Sequence, residues 1–179
     1  MMKMLYSAEA IRSRVADIAA SLNKQLAGNR QVHVVVTMNG AFMFAADLCR
    51  EITVPQIMHF TGGSYFQGAI KQEIAMNPET LPTNFHLSPV VVIEDMLDSG
   101  NSLRQLRQML GERGAGPITV VTLFKRVSSD ATSDHVAFTL PKELFAVGYG
   151  LDMDGRYREL PALYTFETTL MSGGEAGQC

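Results

Sequence analysis

Apolar residues recur at helical spacing in the first part of the chain. Ser7 is a typical helix N-cap residue, and Gly28 is a typical residue at a helix end. The apolar positions between them are Ile11, Val15, Ile18, Leu22 and Leu26. Because these positions are three or four residues apart, they predict one amphipathic helix whose apolar face packs on a core.

Short runs rich in β-branched residues predict strands, and helical patterns separate several of them. Strands are predicted at 32–37, 56–60, 90–94, 118–124, 136–138 and 145–147. Helices are predicted at 41–50 and from Leu103 to near Gly114. This β-α-β-loop-β-α-β order predicts an α/β fold with a doubly wound, mainly parallel sheet.

Residues 61–88 show no clear periodicity, because glycines and prolines interrupt them and only 70–76 resembles a strand. A segment of that length in a compact domain predicts a mobile lid or a hairpin. The polar, Gly-containing end of the chain, 171–179, is predicted to be disordered. We therefore expect one domain over residues 1–170, with a lid at about 61–88.

The composition excludes several classes of function. The chain has 179 residues, is 46% hydrophobic and 18% charged, and carries a net charge of −3. That charge offers no basic field to nucleic acid, and no apolar run is long enough to span a membrane. The two cysteines, Cys49 and Cys179, lack zinc-ligand or disulfide spacing. We therefore expect a cytoplasmic protein without nucleic-acid or membrane partners.

The strongest chemical signal lies at the end of the predicted strand 90–94. There Glu94, Asp95 and Asp98 precede the stretch Ser99-Gly100-Asn101-Ser102, which opens a helix. Ligands bind at the carboxyl ends of parallel strands, and the N–H groups of a helix start suit a phosphate. A phosphate beside three acids needs a divalent cation, or acids that accept hydrogen bonds from sugar hydroxyls. A sugar phosphate with Mg²⁺ satisfies both conditions, although each acid by itself could cap a turn or a helix.

This segment resembles the phosphoribosyl-pyrophosphate (PRPP) binding motif of the type I phosphoribosyltransferases. Residues 38–48, 145–152 and 156–161 are similar to the hypoxanthine(-guanine) branch of that family, and the similarity covers about 5–165 in the right order. The resemblance implies the type I phosphoribosyltransferase fold, with a small hood subdomain and a mobile lid. It also implies Mg²⁺ as the cofactor and a homodimer or homotetramer, for which the apolar face of 41–48 could form an interface.

The resemblance gives the strand-end acids distinct roles. Glu94 and Asp95 would hold the ribose hydroxyls, directly or through Mg²⁺ and water. Asp98 would act as the general base near N7 of the purine. The residues that would bind the 5′-phosphate are Ser99, Gly100, Asn101 and Ser102.

Other stretches match the pyrophosphate end of the family's site. The loop Met38-Asn39-Gly40 would bind pyrophosphate and contain a non-proline cis peptide at Met38–Asn39, although many members carry Lys where this chain has Asn39. Arg158 would also bind pyrophosphate, and Asp152 would make a second contact with Mg²⁺. The pair Ser64 and Tyr65 would close over PRPP. Without the resemblance, Asn39-Gly40 would be an ordinary turn, Arg158 a surface charge and Asp152 a turn carboxylate.

The resemblance also implies a purine site. Lys125 would donate to the 6-oxo group, Phe145 would stack on the ring, and Ala146 would offer backbone groups to the base edge. An ammonium group has only donors, so Lys125 favours hypoxanthine and guanine over adenine. Without the family, Lys125 would be a solvated surface residue and Phe145 a core residue.

The implied function is purine salvage, in which hypoxanthine or guanine and PRPP give the nucleoside monophosphate and pyrophosphate. Two alternatives remain open. One is a phosphoribosyltransferase for another base, such as xanthine. The other is a non-catalytic regulator of the same fold that senses PRPP or nucleotide, and a net charge of −3 gives no support to nucleic-acid binding by such a regulator.

Overall fold

Ten strands and three α-helices form the part of the protein that the structure describes. The computed structural model describes residues 1–62, 64–67, 70–73, 78–141 and 144–166. The strands are β1 (Met2–Tyr6), β2 (Val32–Met38), β3 (Gln56–Gly62), β4 (Ser64–Gln67), β5 (Ile70–Glu73), β6 (Val90–Leu97), β7 (Ile118–Arg126), β8 (His135–Leu140), β9 (Ala146–Val147) and β10 (Leu163–Phe166). The helices are α1 (Ala8–Leu26), α2 (Phe42–Glu51) and α3 (Asn101–Glu112).

A five-stranded parallel sheet lies at the centre, in the order β3-β2-β6-β7-β8. Each neighbouring pair runs parallel. Its central strands are apolar on both faces because both faces are covered. The predicted α/β fold with a mainly parallel sheet is therefore confirmed.

Alternate residues of the central strands enter two separate cores. Val34, Val36 and Ile93 pack with α1 and α2 on one face. Val35 and Val92 pack with α3 on the other face. This alternation follows from the two-residue period of a strand. Ser7 caps α1 as predicted, since its side chain accepts a hydrogen bond from the Ala10 N–H at 3.2 Å.

All five strands of the parallel sheet extend further than the sequence predicted, and the extensions of β6 and β7 concern site residues. β6 continues to Leu97 and β7 to Arg126, because Leu97 still pairs with Lys125 across the two strands. Glu94 and Asp95 therefore lie within β6, and Lys125 lies within β7. The predictions placed these residues just after or at the ends of their strands, and the continued ladder corrects that placement by two or three residues.

The second sheet joins the two ends of the described chain. It is antiparallel, in the order β1-β10-β9. No strand was predicted at Met2–Tyr6 or Leu163–Phe166. In the structure β10 pairs with β1 and β9 pairs with β10, whereas β4 and β5 pair only with each other in the described part of the chain.

The segment between β3 and β6 contains a hairpin. Its strands β4 and β5 are antiparallel, with Gln67 opposite Ile70. This agrees with one of the two alternatives predicted for 61–88. The remainder of the predicted strand 70–76, its residues 74–76, lies outside the described residues, as does the tail 171–179. No helix among the described residues is long and apolar enough to cross a membrane.

Candidate active site

Two carboxylates occupy the carboxyl-terminal half of β6. Glu94 is buried, with 8% of its surface exposed, and its Oε2 lies 2.9 Å from the Thr37 hydroxyl on β2. The same hydroxyl lies 3.1 Å from the Ile93 carbonyl oxygen. Asp95 is half-buried, and its Oδ1 accepts the Met96 N–H at 2.8 Å. The two predicted ribose-binding acids are thus held by strand β2 and by their own backbone.

The predicted phosphate loop begins α3. Gly100 is the N-cap residue, with φ +70°, and as a glycine it offers no side-chain cap; the Asn101 N–H donates to Ser99 Oγ at 3.4 Å. A Cβ at Gly100 would lie 2.4 Å from Cβ of Ala131, so this turn also requires glycine for space. Asp98 is exposed and does not cap the helix; its carbonyl oxygen accepts a hydrogen bond from the Ser129 hydroxyl. The uncapped N–H groups of α3 form the type of helix end that accepts an anion.

The predicted pyrophosphate loop contains a cis peptide bond between Met38 and Asn39. The implied cis bond is therefore confirmed. Gly40 follows in close contact with Asp95: a Cβ built on Gly40 would lie 1.6 Å from Asp95 Oδ2. On its other side, a Cβ at Gly150 would lie 2.2 Å from the Gly40 carbonyl oxygen. The loop thus lies between β6 and the turn at Gly150.

The turn beyond β9 brings Asp152 and Arg158 together. The Arg158 guanidinium lies 2.8 Å from Asp152 Oδ1 and donates a second hydrogen bond to the Gly150 carbonyl at 2.7 Å. Asp152 Oδ2 accepts the Gly155 N–H at 2.7 Å. The sequence predicted separate metal and pyrophosphate roles for these two residues. The structure joins them into one ion pair beside the Met38–Gly40 loop.

The predicted purine residues lie at the β7 and β9 end of the site. Lys125 is partly buried and pairs with Thr139 on β8. Arg126 donates to the carbonyl oxygens of Pro141 (at 2.8 Å) and Leu144, and so fixes the chain just before β9. Phe145 is half-buried, and Ala146 is buried in β9. Lys125 is therefore neither fully solvated nor a core residue.

The predicted lid pair lies in the hairpin. Ser64 pairs with Glu73 and Tyr65 with Gln72, but the side chains of this hairpin lie outside the described part of the structure. Whether they reach the site therefore remains a prediction.

Three side chains that hold the site were not predicted from the sequence: Thr37, Asp47 and Tyr149. Thr37 could have been noticed because it is a polar residue ending an apolar run. The Tyr149 hydroxyl donates a hydrogen bond to Asp47 on α2 at 2.7 Å. Burial and that hydrogen bond raise the pKa of Tyr149 well above its usual range. The position of Tyr149 between two glycines was its only signal in the sequence.

Known proteins resemble this arrangement over most of the chain. The family model described as "Phosphoribosyl transferase domain" matches residues 1–154. The chain belongs to the phosphoribosyltransferase family. The predicted resemblance to that family is therefore confirmed.

Relatives in this phosphoribosyltransferase family support the predicted branch. The chain is 35% identical to the hypoxanthine phosphoribosyltransferase of Salmonella typhimurium, covering 84% of this chain and 87% of the relative. It is 34% identical to the hypoxanthine-guanine phosphoribosyltransferase of Streptococcus thermophilus, covering 89% of both. A Staphylococcus aureus hypoxanthine phosphoribosyltransferase structure has a TM-score of 0.77 at 28% identity, covering 96% of this chain and 94% of that one. These names agree with purine salvage and give no support to the alternative functions.

Proposed function

We propose that this phosphoribosyltransferase transfers the 5-phosphoribosyl group of PRPP to hypoxanthine and guanine and releases pyrophosphate. The observation that carries the proposal is the close contact of Gly40 with Asp95. It brings the Met38–Gly40 loop against β6, which carries Glu94 and Asp95. A ligand whose pyrophosphate is attached to a ribose can therefore contact the loop and the acids at the same time. PRPP has that chemistry.

The sugar end of PRPP would lie along β6 and the start of α3. Glu94 and Asp95 would accept hydrogen bonds from the ribose hydroxyls, and the Thr37 contact keeps the Glu94 carboxylate in place. The 5′-phosphate would accept hydrogen bonds from N–H groups in the first turn of α3 and from the hydroxyls of Ser99 and Ser102. Gly100 and Asn101 would supply backbone N–H groups there.

The pyrophosphate end would contact Met38, Asn39 and Gly40 through the backbone, together with Arg158. Because Asn39 is uncharged, Arg158 would supply cationic charge here. Asp152 pairs with Arg158 at 2.8 Å, so the bound anion and Asp152 would share its guanidinium.

Hard carboxylate oxygens fit Mg²⁺, which usually takes one or two protein carboxylates and completes its shell with water and substrate phosphate. The described residues contain no group of three or more His, Cys, Asp or Glu placed to hold a metal. Mg²⁺ would therefore be held mainly by PRPP, with Glu94 and Asp95 contacting it at the ribose and Asp152 making the second, separate contact with Mg²⁺. When bound, Mg²⁺ would neutralise the charge that develops on the departing pyrophosphate.

The purine would enter beside Lys125, Phe145 and Ala146. The Lys125 ammonium would donate to the 6-oxo oxygen, and the base would stack on Phe145. Asp98 would accept the purine proton as its nitrogen attacks C1 of the ribose. Asp98 is exposed, so the bound purine and the closed lid, with Ser64 and Tyr65, would have to desolvate it.

The apolar surface between α2 and β3 supports the predicted homodimer or homotetramer. A cavity of about 550 Å³ lies there, lined by apolar residues including Met38, Phe42, Cys49, Met58 and Phe60. Phe60 is 50% exposed in a single chain. A second copy would cover this apolar surface and would also lie next to the pyrophosphate loop. We further infer a cytoplasmic location, because Cys49 is free.

A spectrophotometric assay with PRPP and Mg²⁺ tests the function, with hypoxanthine, guanine, xanthine and adenine offered separately. We expect turnover of hypoxanthine and guanine, and a loss of about 10²–10⁴-fold in Asp98→Asn. Asp17→Asn is the matched control, since Asp17 is an exposed residue of α1 and should leave turnover unchanged.

Three outcomes would contradict parts of the proposal. Turnover of adenine alone would refute the role of Lys125. Full activity of Asp98→Asn would exclude Asp98 as the general base. Binding of PRPP without turnover of any base would favour the regulator.

A further inference from the structure

Tyr149 adopts a backbone conformation that is unusual for a bulky residue. Its φ is +48°, in the left-handed region, although only 6% of its surface is exposed. Glycine or asparagine would adopt this conformation more easily. A strained backbone conformation persists where the surrounding contacts enforce it. The relevant contact is the hydrogen bond from its hydroxyl to Asp47 Oδ2 at 2.7 Å.

The bond joins the two segments that surround the predicted pyrophosphate site. Asp47 lies on α2, which starts two residues after Gly40. Tyr149 immediately precedes Gly150 in the same turn, and Gly150 lies against the Gly40 carbonyl. The carbonyl of Gly150 also accepts the Arg158 guanidinium at 2.7 Å. Any displacement of Tyr149 would therefore move the loop and Arg158 relative to each other.

The Tyr149 side chain packs in the core and borders a cavity on one side. One side of Tyr149 faces a cavity of about 460 Å³ between α1, α2 and the turn, whose lining includes Ile11, Arg12, Met43 and Leu160. The hydrogen bond to Asp47 therefore acts together with core packing to hold the Tyr149 hydroxyl in place. A phenol is protonated at neutral pH, and burial and Asp47 raise the pKa of Tyr149 further, so its hydroxyl remains a donor.

We propose that Tyr149, through Asp47, is a positioning residue for the pyrophosphate half of the substrate. This inference rests on the proposed function and adds a role for two residues that lie behind the site. Their hydrogen bond joins α2 to the turn at Gly150, and Lys125, Phe145 and Ala146 take no part in it. The bond fixes the separation between the Met38–Gly40 loop and Arg158, so its loss weakens recognition of PRPP and pyrophosphate and leaves recognition of the purine unchanged.

Tyr149→Phe tests the inference, since it removes only the hydroxyl. We expect the KM for PRPP, and the KM for pyrophosphate in the reverse reaction, to rise about tenfold, the scale of one hydrogen bond to a charged group. The KM for hypoxanthine should stay within about twofold of wild type. Tyr6→Phe is the matched control: it removes a hydroxyl that donates to the Thr139 carbonyl at 3.4 Å, and it should change neither KM.

A double-mutant cycle separates positioning from a general loss of structure. Asp47→Ala should raise the KM for PRPP as Tyr149→Phe does, and combining the two should add nothing further. Asp47→Asn keeps an acceptor oxygen and should restore part of the loss. Arg50→Ala, which removes the other partner of Asp47, should leave the KM for PRPP unchanged.

The outcomes that overturn the inference differ from those that overturn the function. Inactive wild-type protein would refute the proposed function before any variant is compared. With active wild type, a folded Tyr149→Phe whose KM for PRPP is unchanged would refute the positioning role. Equal rises in the KM for PRPP and hypoxanthine, or additive effects of Tyr149→Phe and Asp47→Ala, would also refute it, because they indicate unspecific destabilisation.

Discussion

Replacing Gly40 with alanine tests the contact between the pyrophosphate loop and β6. The new Cβ would lie 1.6 Å from Asp95 Oδ2, 2.6 Å from its Cγ and 3.0 Å from its Cβ. Since real Cβ contacts essentially never fall below 3.0 Å, the Asp95 carboxylate or the loop must move by about 1.4 Å. Rotation of Asp95 would also break its hydrogen bond with the Met96 N–H.

The magnitude follows from these two losses. Overpacking costs about 1–3 kcal/mol, and the broken hydrogen bond costs about 1 kcal/mol. If about 2 kcal/mol of this appears as lower stability, the melting temperature should fall by about 4–8 °C. A displacement of about 1 Å in a reacting geometry can lower kcat/KM by about 10²-fold.

Two measurements on purified Gly40→Ala check these numbers: thermal unfolding and kcat/KM for PRPP. Gly111→Ala is the control, because a Cβ at Gly111 meets nothing within 4 Å. Gly111 lies inside α3, so alanine there should stabilise the protein by about 0.5–1 kcal/mol without changing kinetics. Wild-type melting and kinetics in Gly40→Ala would falsify the contact.

Three further predictions concern stability and reactivity. Thr37→Val should lower the free energy of unfolding by about 1.5–3 kcal/mol, because it removes the hydroxyl 2.9 Å from the Glu94 carboxylate; an unchanged urea midpoint would contradict this. Burial lowers the pKa of both His33 and His59, and His33 Nδ1 lies 2.9 Å from His59 Nε2. Their contribution to stability is therefore complete above about pH 6.5 and is lost as the pH falls below it. Urea unfolding between pH 7.5 and 5 should show this decline, and His59→Gln should reduce it; an equal decline in that variant would refute the assignment. Burial raises the pKa of the Cys49 thiol to about 11. In a variant whose other cysteine is replaced by serine, a disulfide reagent should therefore react with Cys49 slowly at about pH 7.5 and quickly after unfolding. Fast reaction with the folded protein would contradict the burial of this thiol.

The parallel sheet could be predicted because its strands carry their own signal. Val90–Ile93 is apolar at every position, which is typical of a strand covered on both faces. β1 has no such signal, since its first three residues are exposed and only pairing with β10 makes Met2–Tyr6 a strand. A strand stabilised by a partner at the other end of the chain cannot be predicted from local periodicity.

The site also contains a part that the sequence predicts and a part that it does not. The acids of β6 and the loop before α3 are contiguous, so one stretch of sequence predicts their placement. The pair of Asp152 with Arg158 and the bond of Tyr149 to Asp47 depend on how separate segments approach each other. Single residues in a sequence carry no information on such partners unless a known family supplies the register.

The contact between Gly40 and Gly150 limits how the pyrophosphate end of this enzyme can diverge. A side chain at Gly40 would enter the space of Asp95, and one at Gly150 would meet the Gly40 carbonyl. A single substitution therefore cannot relieve the crowding at both glycines. Asn39 is exposed beside them. A change of charge at the pyrophosphate end can therefore be made by substituting Asn39. Substitutions at Gly40 or Gly150 should give mostly inactive protein.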